Sequence, residues 1–302
     1  MTTPRIALAT CTALPDLDAD DAPLIGALAA RGVEAVPVIW NAPGTDWTAF
    51  DLVVIRSTWD YTEHPGDFVA WVRSLPQLLN PAEVIAWNVD KRYQRDLDEA
   101  GVPTVPTIWL DPERNFDSRA IHTRFPAFGD FVIKPTISAG SRDTGRYQAD
   151  VTPSRSLAIT HAKNILQSGR HVMIQRYLTQ VDTVGETGMV YIDGEFSHAV
   201  RKAPLLEGPY RANEDLYRVE TMSSREASPA EREAADRAIA ALPGLFPGVD
   251  GPLLYARVDL LPDDAGNPVV LELELTEPSM FLALAPGALD RFADAIARRV
   301  GA

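Results

Sequence analysis

Two stretches late in the chain alternate apolar and polar residues: Tyr255-Ala256-Arg257-Val258-Asp259-Leu260-Leu261 and Val269-Val270-Leu271-Glu272-Leu273-Glu274-Leu275. Alternation at period two is the pattern of a strand with one buried face. The link between them, Pro262-Asp263-Asp264-Ala265-Gly266-Asn267-Pro268, is rich in turn formers. The pair predicts an antiparallel hairpin. Setting Asp259 opposite Glu272 puts Arg257 opposite Glu274 and turns all four to one face. Ala256, Val258, Leu260, Leu271, Leu273 and Leu275 form the other face, toward a core.

Upstream the pattern differs. Residues 5–10, 33–40 and 52–56 are nearly continuous apolar runs, and a helical period over 20–31, ended by Gly32, separates the first two. This β-α-β opening predicts a doubly wound parallel sheet. Helices are expected over 68–75 and over 90–100, the latter closed by Gly101, followed by an extended connector over 102–107. A strand over 131–134 stops at Pro135 and gives way to a loop of small residues reaching Gly145. A helix over 153–167, strands over 171–178, 186–192 and 196–202, a helix over 229–242 and a last helix over 288–299 complete the reading. The expected units are 1–93, 94–178 and 179–302.

The polar face of the hairpin crowds three carboxylates and one arginine. Carboxylates at that density repel unless a cation or protons intervene. Mg²⁺ takes such oxygen sites together with substrate phosphates; a solvated sheet face is the alternative.

Composition narrows the partners. The net charge of -14 over 302 residues leaves no basic surplus for nucleic acid or an anionic membrane, though a local basic pocket can still hold a small anion. A single cysteine, Cys11, excludes an internal disulfide and fits a reducing compartment. The N-terminus lacks the apolar run of a signal peptide and no segment reaches membrane-spanning length, so a cytoplasmic protein is expected. All six tryptophans fall within residues 40–109, which suggests a unit with its own core. Arginine dominates the basic residues, and only Lys91, Lys134, Lys163 and Lys202 are lysines. In such a chain a lysine marks places suited to a compact ammonium, a phosphate contact among them. No Gly-x-Gly-x-x-Gly follows the first strand and no Gly-x-x-x-x-Gly-Lys-Ser/Thr occurs. The five histidines have no metal-ligand spacing, and no Ser-His-Asp or Cys-His arrangement stands out.

The order Asp90-Lys91, Phe131-Val132-Ile133-Lys134-Pro135 with its small-residue loop, Gln175-Arg176-Tyr177-Leu178, Arg257-Val258-Asp259 and Glu272-Leu273-Glu274 resembles the ATP-grasp superfamily of carboxylate–amine ligases. With Arg56-Ser57-Thr58-Trp59-Asp60-Tyr61 and Leu275-Thr276-Glu277-Pro278-Ser279, the whole chain is similar to its D-cycloserine-forming branch, the O-ureido-D-serine cyclo-ligases. The resemblance implies an α/β protein of ATP-grasp fold: an N-terminal doubly wound parallel-sheet domain and two α+β lobes clasping ATP.

It also implies roles. Lys91 and Lys134 would reach the phosphates, and Ser138, Gly140 and Ser141 in the loop would close over them. Gln175, Tyr177 and Leu178 would seat adenine and Glu186 the ribose. Asp259, Glu272 and Glu274 would hold two Mg²⁺ ions. Arg257, Arg201 and Lys202 would face the acyl phosphate, and Arg56, Ser57, Tyr61 and Ser279 the amino-acid substrate. The loop is poorer in glycine than typical ones, Gln175 stands where an acidic residue is common, and Glu274 where Asn is common.

The implied reaction phosphorylates a carboxylate with ATP and lets a nitrogen displace the phosphate, here within one molecule. The partners are then a small amino-acid-like substrate, no nucleic acid and no membrane, in a chain compatible with homo-oligomers. The rivals are an intermolecular dipeptide-type ligase and a nucleotide-binding regulatory module without turnover.

Overall fold

The computed structural model describes residues 3–206, 208–210 and 221–301. Met1, Thr2 and Ala302, which the expected end units included, lie outside the described residues, as do 207 and 211–220.

The apolar runs of the first third build a four-stranded parallel sheet from β1 (Arg5–Thr10), β2 (Glu34–Ile39), β3 (Leu52–Ser57) and β4 (Leu78–Leu79), in the order β2-β1-β3-β4. The helix Pro23–Ala29 covers one face; Pro65–Ser74 and Ala82–Asn88 cover the other. This is the doubly wound arrangement that continuous apolar strands require. Three of the six tryptophans, Trp40, Trp47 and Trp71, belong to this sheet's core, and Trp40 and Trp71 pack with Phe68 on the outer face. The other face is shared: the last helix, Ala288–Arg299, joins Ile6, Leu8, Leu24 and Leu28 in one cluster with Val190 and Tyr255 of the C-terminal unit.

The central unit is a four-stranded antiparallel sheet, β5 (Thr107–Leu110), β6 (Asp130–Pro135), β7 (Gly145–Gln148) and β8 (Val172–Arg176), ordered β5-β8-β6-β7 and backed by the helix Thr152–Gln167. The C-terminal unit orders β9 (Glu186–Ile192), β10 (Glu195–Lys202), β11 (Met222–Arg225), β12 (Tyr255–Pro262) and β13 (Pro268–Glu274) as β11-β10-β9-β12-β13, packed on the helix Pro229–Leu245. That helix starts with a full capping box, Ser228 with Glu231.

The hairpin of β12 and β13 pairs Arg257 with Glu274 and Asp259 with Glu272, in the expected register. One residue departs from expectation. The register shifts after Asp259, so that Leu260 faces Val270 and Leu271 is the extra residue of a bulge. Leu271 therefore lies not in the core behind the sheet but on the cavity side, with Leu261, Val269, Tyr177 and Leu178.

β13 is an edge strand whose free groups are satisfied by the backbone of Pro103 and Val105 at Val270 and by side chains beyond it. Asn88 donates to the Leu273 carbonyl (2.7 Å) and accepts from the Leu275 amide (2.8 Å). The Tyr93 hydroxyl accepts from Leu273 (2.8 Å), and Gln94 donates to Leu271 (2.6 Å). Asn80 ties the Tyr255 and Leu275 carbonyls together, each at 2.9 Å. An edge so covered is fixed in place and closed to further pairing.

Candidate active site

A cavity of about 600 Å³ opens between the central and C-terminal sheets, with residues 18–20, Trp59 and Tyr61 of the N-terminal domain at one end. That is the size of a small-molecule site.

One end is apolar. Val132, Tyr177, Leu178, Val181, Leu261, Val269 and Leu271 pack together there, with the Arg146 guanidinium 3.6 Å over the Tyr177 ring. Buried Gln175 borders it. Its amide nitrogen donates to Thr107 Oγ1 (2.8 Å), which leaves its carbonyl for a donor from a ligand.

The middle is ionic. Lys134, at the end of β6, meets Glu272 at 2.8 Å, and Lys91 stands 3.9 Å from the other Glu272 oxygen while donating to the Ser138 carbonyl at 2.6 Å. Lys202, closing β10, bonds Glu186 and Asp259, the latter at 3.1 Å. Arg257 grips Asp259 through Nε (2.8 Å) and Nη2 (2.9 Å), bonds Glu274, and donates to the Ser279 carbonyl (2.9 Å). Three of the four lysines thus converge on one cavity; Lys163 sits apart on the exposed face of its helix, 3.4 Å from Ser118 Oγ.

Charge compensation sets the protonation states. Burial would raise Asp259, but Arg257 and Lys202 overcome it and hold the carboxyl below its ordinary value. Burial would likewise raise Glu272, and Lys134 and Lys91 bring it down. Glu274 is raised by burial and by Asp259 and Glu272, with Arg257 opposing. Glu277, nine-tenths buried, is pushed up to about 8 by burial and by Glu274.

Oxygen donors suit a hard cation, and Mg²⁺ commonly takes one or two carboxylates with the rest of its shell from phosphates and water. Glu272 and Glu274 line the cavity and fit that role. Asp259, the third expected ligand, lies behind them, fully buried and bonded by Arg257 and Lys202. Among the described residues no three carboxylate, histidine or cysteine groups converge on one metal position. Each of the three carboxylates is paired with a cation of the protein: Asp259 with Arg257 and Lys202, Glu272 with Lys134, and Glu274 with Arg257.

Ser138, Gly140, Ser141 and Thr144 line the cavity from the small-residue loop. Gly140, Ser141 and Asp143 take left-handed backbone, at φ 57°, 58° and 53°. Ion pairs hold the loop on both sides, Arg142 to Glu63 (2.9 Å) and Asp143 to Arg170 (2.6 Å). Facing it, residues 203–206 follow Lys202 along the rim, and the Gly208 carbonyl accepts from the Arg146 amide of β7 at 2.8 Å. Gly145 has no room for a side chain there: a Cβ would stand 2.5 Å from the Tyr210 nitrogen.

Lys91, Lys134, Ser138, Gly140, Ser141, Gln175, Tyr177, Leu178, Glu186, Lys202, Arg257, Glu272, Glu274, Tyr61 and Ser279 all line this cavity. Arg56, Ser57 and Arg201 do not. Arg56 is wholly buried, bonded to Asp21 (2.9 Å) and the Pro278 carbonyl (2.6 Å) and flanked by the Tyr255 and Phe292 rings. Ser57 donates to Asp21 behind the wall (3.1 Å). Arg201 turns outward to the Val184 carbonyl (2.6 Å), because Lys202, its neighbour at period two, takes the inner face. Sequence reasoning passed over Asn80, Asn88 and Tyr93, and quoted Glu277 in a motif without giving it a role. An Asn-Pro step and a lone Glu in a turn carry no signal of what they hold.

No helix among the described residues is long and apolar enough to cross a membrane. Comparison with known proteins gives consistent matches. A family model described as the N-terminal domain of D-cycloserine synthetase DcsG matches residues 6–80. The chain is 35% identical over 304 residues to the cycloserine biosynthesis protein DcsG of Streptomyces lavendulae, covering 98% of both chains. It is similar to the crystal structure of D-cycloserine synthetase DcsG with a TM-score of 0.88 and 34% identity, covering 98% of this chain and 99% of that one. D-alanine–D-alanine ligase of Bacillus anthracis in complex with ATP shares the fold, with a TM-score of 0.62 and 16% identity over 98% of this chain and 97% of that one.

Proposed function

The chain belongs to the DcsG family of ATP-grasp ligases, and on that premise we propose that it closes O-ureido-D-serine into D-cycloserine at the expense of ATP. The observation that carries the reading is the convergence of Lys91, Lys134, Lys202 and Arg257, from four separate elements, on one cavity beside Glu272 and Glu274.

The steps follow from what these groups do to charge. The apolar end, with the Gln175 carbonyl beside it, seats adenine, and Glu186 borders the ribose. Lys91 and Lys134 hold the terminal phosphates as point charges. Mg²⁺ held by Glu272 and Glu274 would supply further neutralisation of phosphate charge. The substrate carboxylate, directed by Arg257, attacks the γ-phosphorus and ADP leaves. Arg257 and Lys202 stabilise the acyl phosphate. The ureido nitrogen next to the chain oxygen then attacks the acyl carbon, phosphate departs, and water removes the carbamoyl group. Because nucleophile and electrophile share one molecule, a single pocket gives the high effective concentration that cyclisation needs. The protein supplies no covalent nucleophile.

The test is mass analysis of the product from O-ureido-D-serine, ATP and Mg²⁺, with ADP quantified alongside. Cycloserine with one ADP per ring supports the reading. ADP release that requires a pair of amino acids instead refutes it and identifies an intermolecular ligase; no ADP with any carboxylate identifies a module without turnover.

A further inference from the structure

Two segments distant in sequence interlock at the end of the cavity nearest the N-terminal sheet. The Trp59 indole donates to the Glu277 carbonyl at 3.1 Å, and Arg56 donates to the Pro278 carbonyl at 2.6 Å. The Tyr61 phenol faces the Glu277 carboxyl, and its own ring is stacked on Phe68 at 4.7 Å. The Glu277 carboxyl is thus held from both its backbone and its side chain by residues of another domain.

It has no ion pair of its own among the described residues. Glu186, Glu272 and Glu274, the other glutamates of the cavity wall, each form an ion pair with a lysine or arginine. Glu277 lines the same cavity, is nine-tenths buried, and forms none among the described residues. Lys91 and Arg257 face it but are engaged elsewhere, Lys91 with Glu272 and the Ser138 carbonyl, Arg257 with Asp259 and Glu274. A buried carboxyl needs a paired cation to be charged. Two residues on, the Ser279 carbonyl accepts from Arg257. The 277–279 turn therefore presents an acceptor for an amine, and Arg257, whose Nη1 spends one of its two N–H groups on the Ser279 carbonyl, keeps the other as a donor for a carboxylate. Those are the two ends of an α-amino acid.

We propose that Glu277, oriented by Tyr61 and Trp59, is the positioning residue that anchors the free amino group of the substrate, so that this site accepts α-amino acids and rejects the same carboxylates without an amine. The proposal rests on the ligase reading above and names the chemistry by which that site selects its substrate.

The test is a double-perturbation cycle on ADP release. Wild type, Glu277→Gln, Tyr61→Phe and Asp20→Asn are each measured with O-ureido-D-serine and with 3-(ureidooxy)propanoate, which carries hydrogen in place of the amine. Asp20 is the control: it lines the cavity too, on a more exposed loop. Wild type should lose at least about 30-fold in kcat/KM when the amine is absent, and Glu277→Gln should lose as much with the amine-bearing substrate and under about threefold without it. KM for ATP should stay within about twofold, since the nucleotide end is untouched. Equal losses on both substrates, an amine-blind wild type, or coupling found at Asp20 and not at Glu277 would each overturn the proposal. Should Glu277→Gln fail to fold, Tyr61→Phe, which keeps the ring stack, supplies the cycle with the same criteria. If O-ureido-D-serine yields no ADP with wild type, the cyclisation reading fails by itself; binding of D-alanine against propionate, read as a melting shift in wild type and variant, then decides the role of Glu277.

Discussion

Replacing Arg56 by methionine separates the role read from sequence from the one the fold assigns. The side chain is fully buried, and removing its charge strands three things: Asp21, which is 2% exposed and keeps only the Ser57 hydroxyl; the Pro278 carbonyl; and the Tyr255 and Phe292 faces against the guanidinium. Breaking a buried pair by deleting one member costs about 3–5 kcal/mol, and an orphaned buried carbonyl adds about 1–3 kcal/mol where no water reaches it. A loss of about 4–5 kcal/mol is expected because the two overlap. It should be read from the urea midpoint by tryptophan fluorescence, since five of the six tryptophans lie in the first 100 residues. The deficit should depend on pH. Burial already raises Asp21, with Arg56 the main influence holding it down. Without Arg56 the folded state keeps that proton more tightly than the unfolded chain does, so stability falls as pH rises above the unfolded carboxyl value and recovers on acidification. Arg56→Met combined with Asp21→Leu should regain much of the loss. A single variant that unfolds like wild type while KM for the amino-acid substrate rises tenfold would refute this account and return Arg56 to the substrate.

Glu272→Gln should keep the fold and cut ADP release by about 100-fold or more at limiting Mg²⁺, since charge at the phosphates is lost without a change of shape; near-normal turnover would remove Glu272 from the metal role. Lys134→Met should raise KM for ATP and slow turnover, whereas Lys163→Met, on its exposed helix, should do neither; equal effects would end the case for lysines as phosphate contacts. His161, whose imidazole meets the Tyr147 hydroxyl at 2.8 Å and stacks on Tyr210 at 4.6 Å, is held by burial at about 4, down from 6.5. The unfolded chain therefore takes up a proton first, so stability should be lost as pH falls from about 6.5 to 4. His161→Phe should flatten that part of a melting-temperature profile, and an unchanged slope would show that His161 is not its source.

The hairpin was legible because one buried face forces period-two alternation, which fixes register as well as structure. The bulge was not, because alternation continues through Leu271 and nothing local marks the extra residue. β5 and β7 escaped notice for another reason. They are four residues each, and β7 contains Gly145 and Arg146, so pairing with β8 and β6 makes them strands rather than their own pattern. Rarity picked out three of the site lysines. Charge at a strand end suggested a ligand contact for Arg56, yet the same residue type serves a buried pair once an Asp lies beneath it, and Asp21 is 35 positions away in sequence.

The cluster that Ala288–Arg299 completes bears on how the chain is made. β1 and β2 leave the ribosome early, and Leu24 and Leu28 can cover part of their inner face at once. Phe292 and Ile296 complete that cover, and Arg31 bonds Asp290 (3.1 Å) and Asp294 (2.5 Å) to seat the helix. Both come from the far end of the sequence. The sheet therefore waits, with an apolar face half open, until residues 288–299 have been made. A fragment ending before Ala288 would carry that open face permanently, so the sheet's closure depends on a helix made more than 250 residues after its first strand.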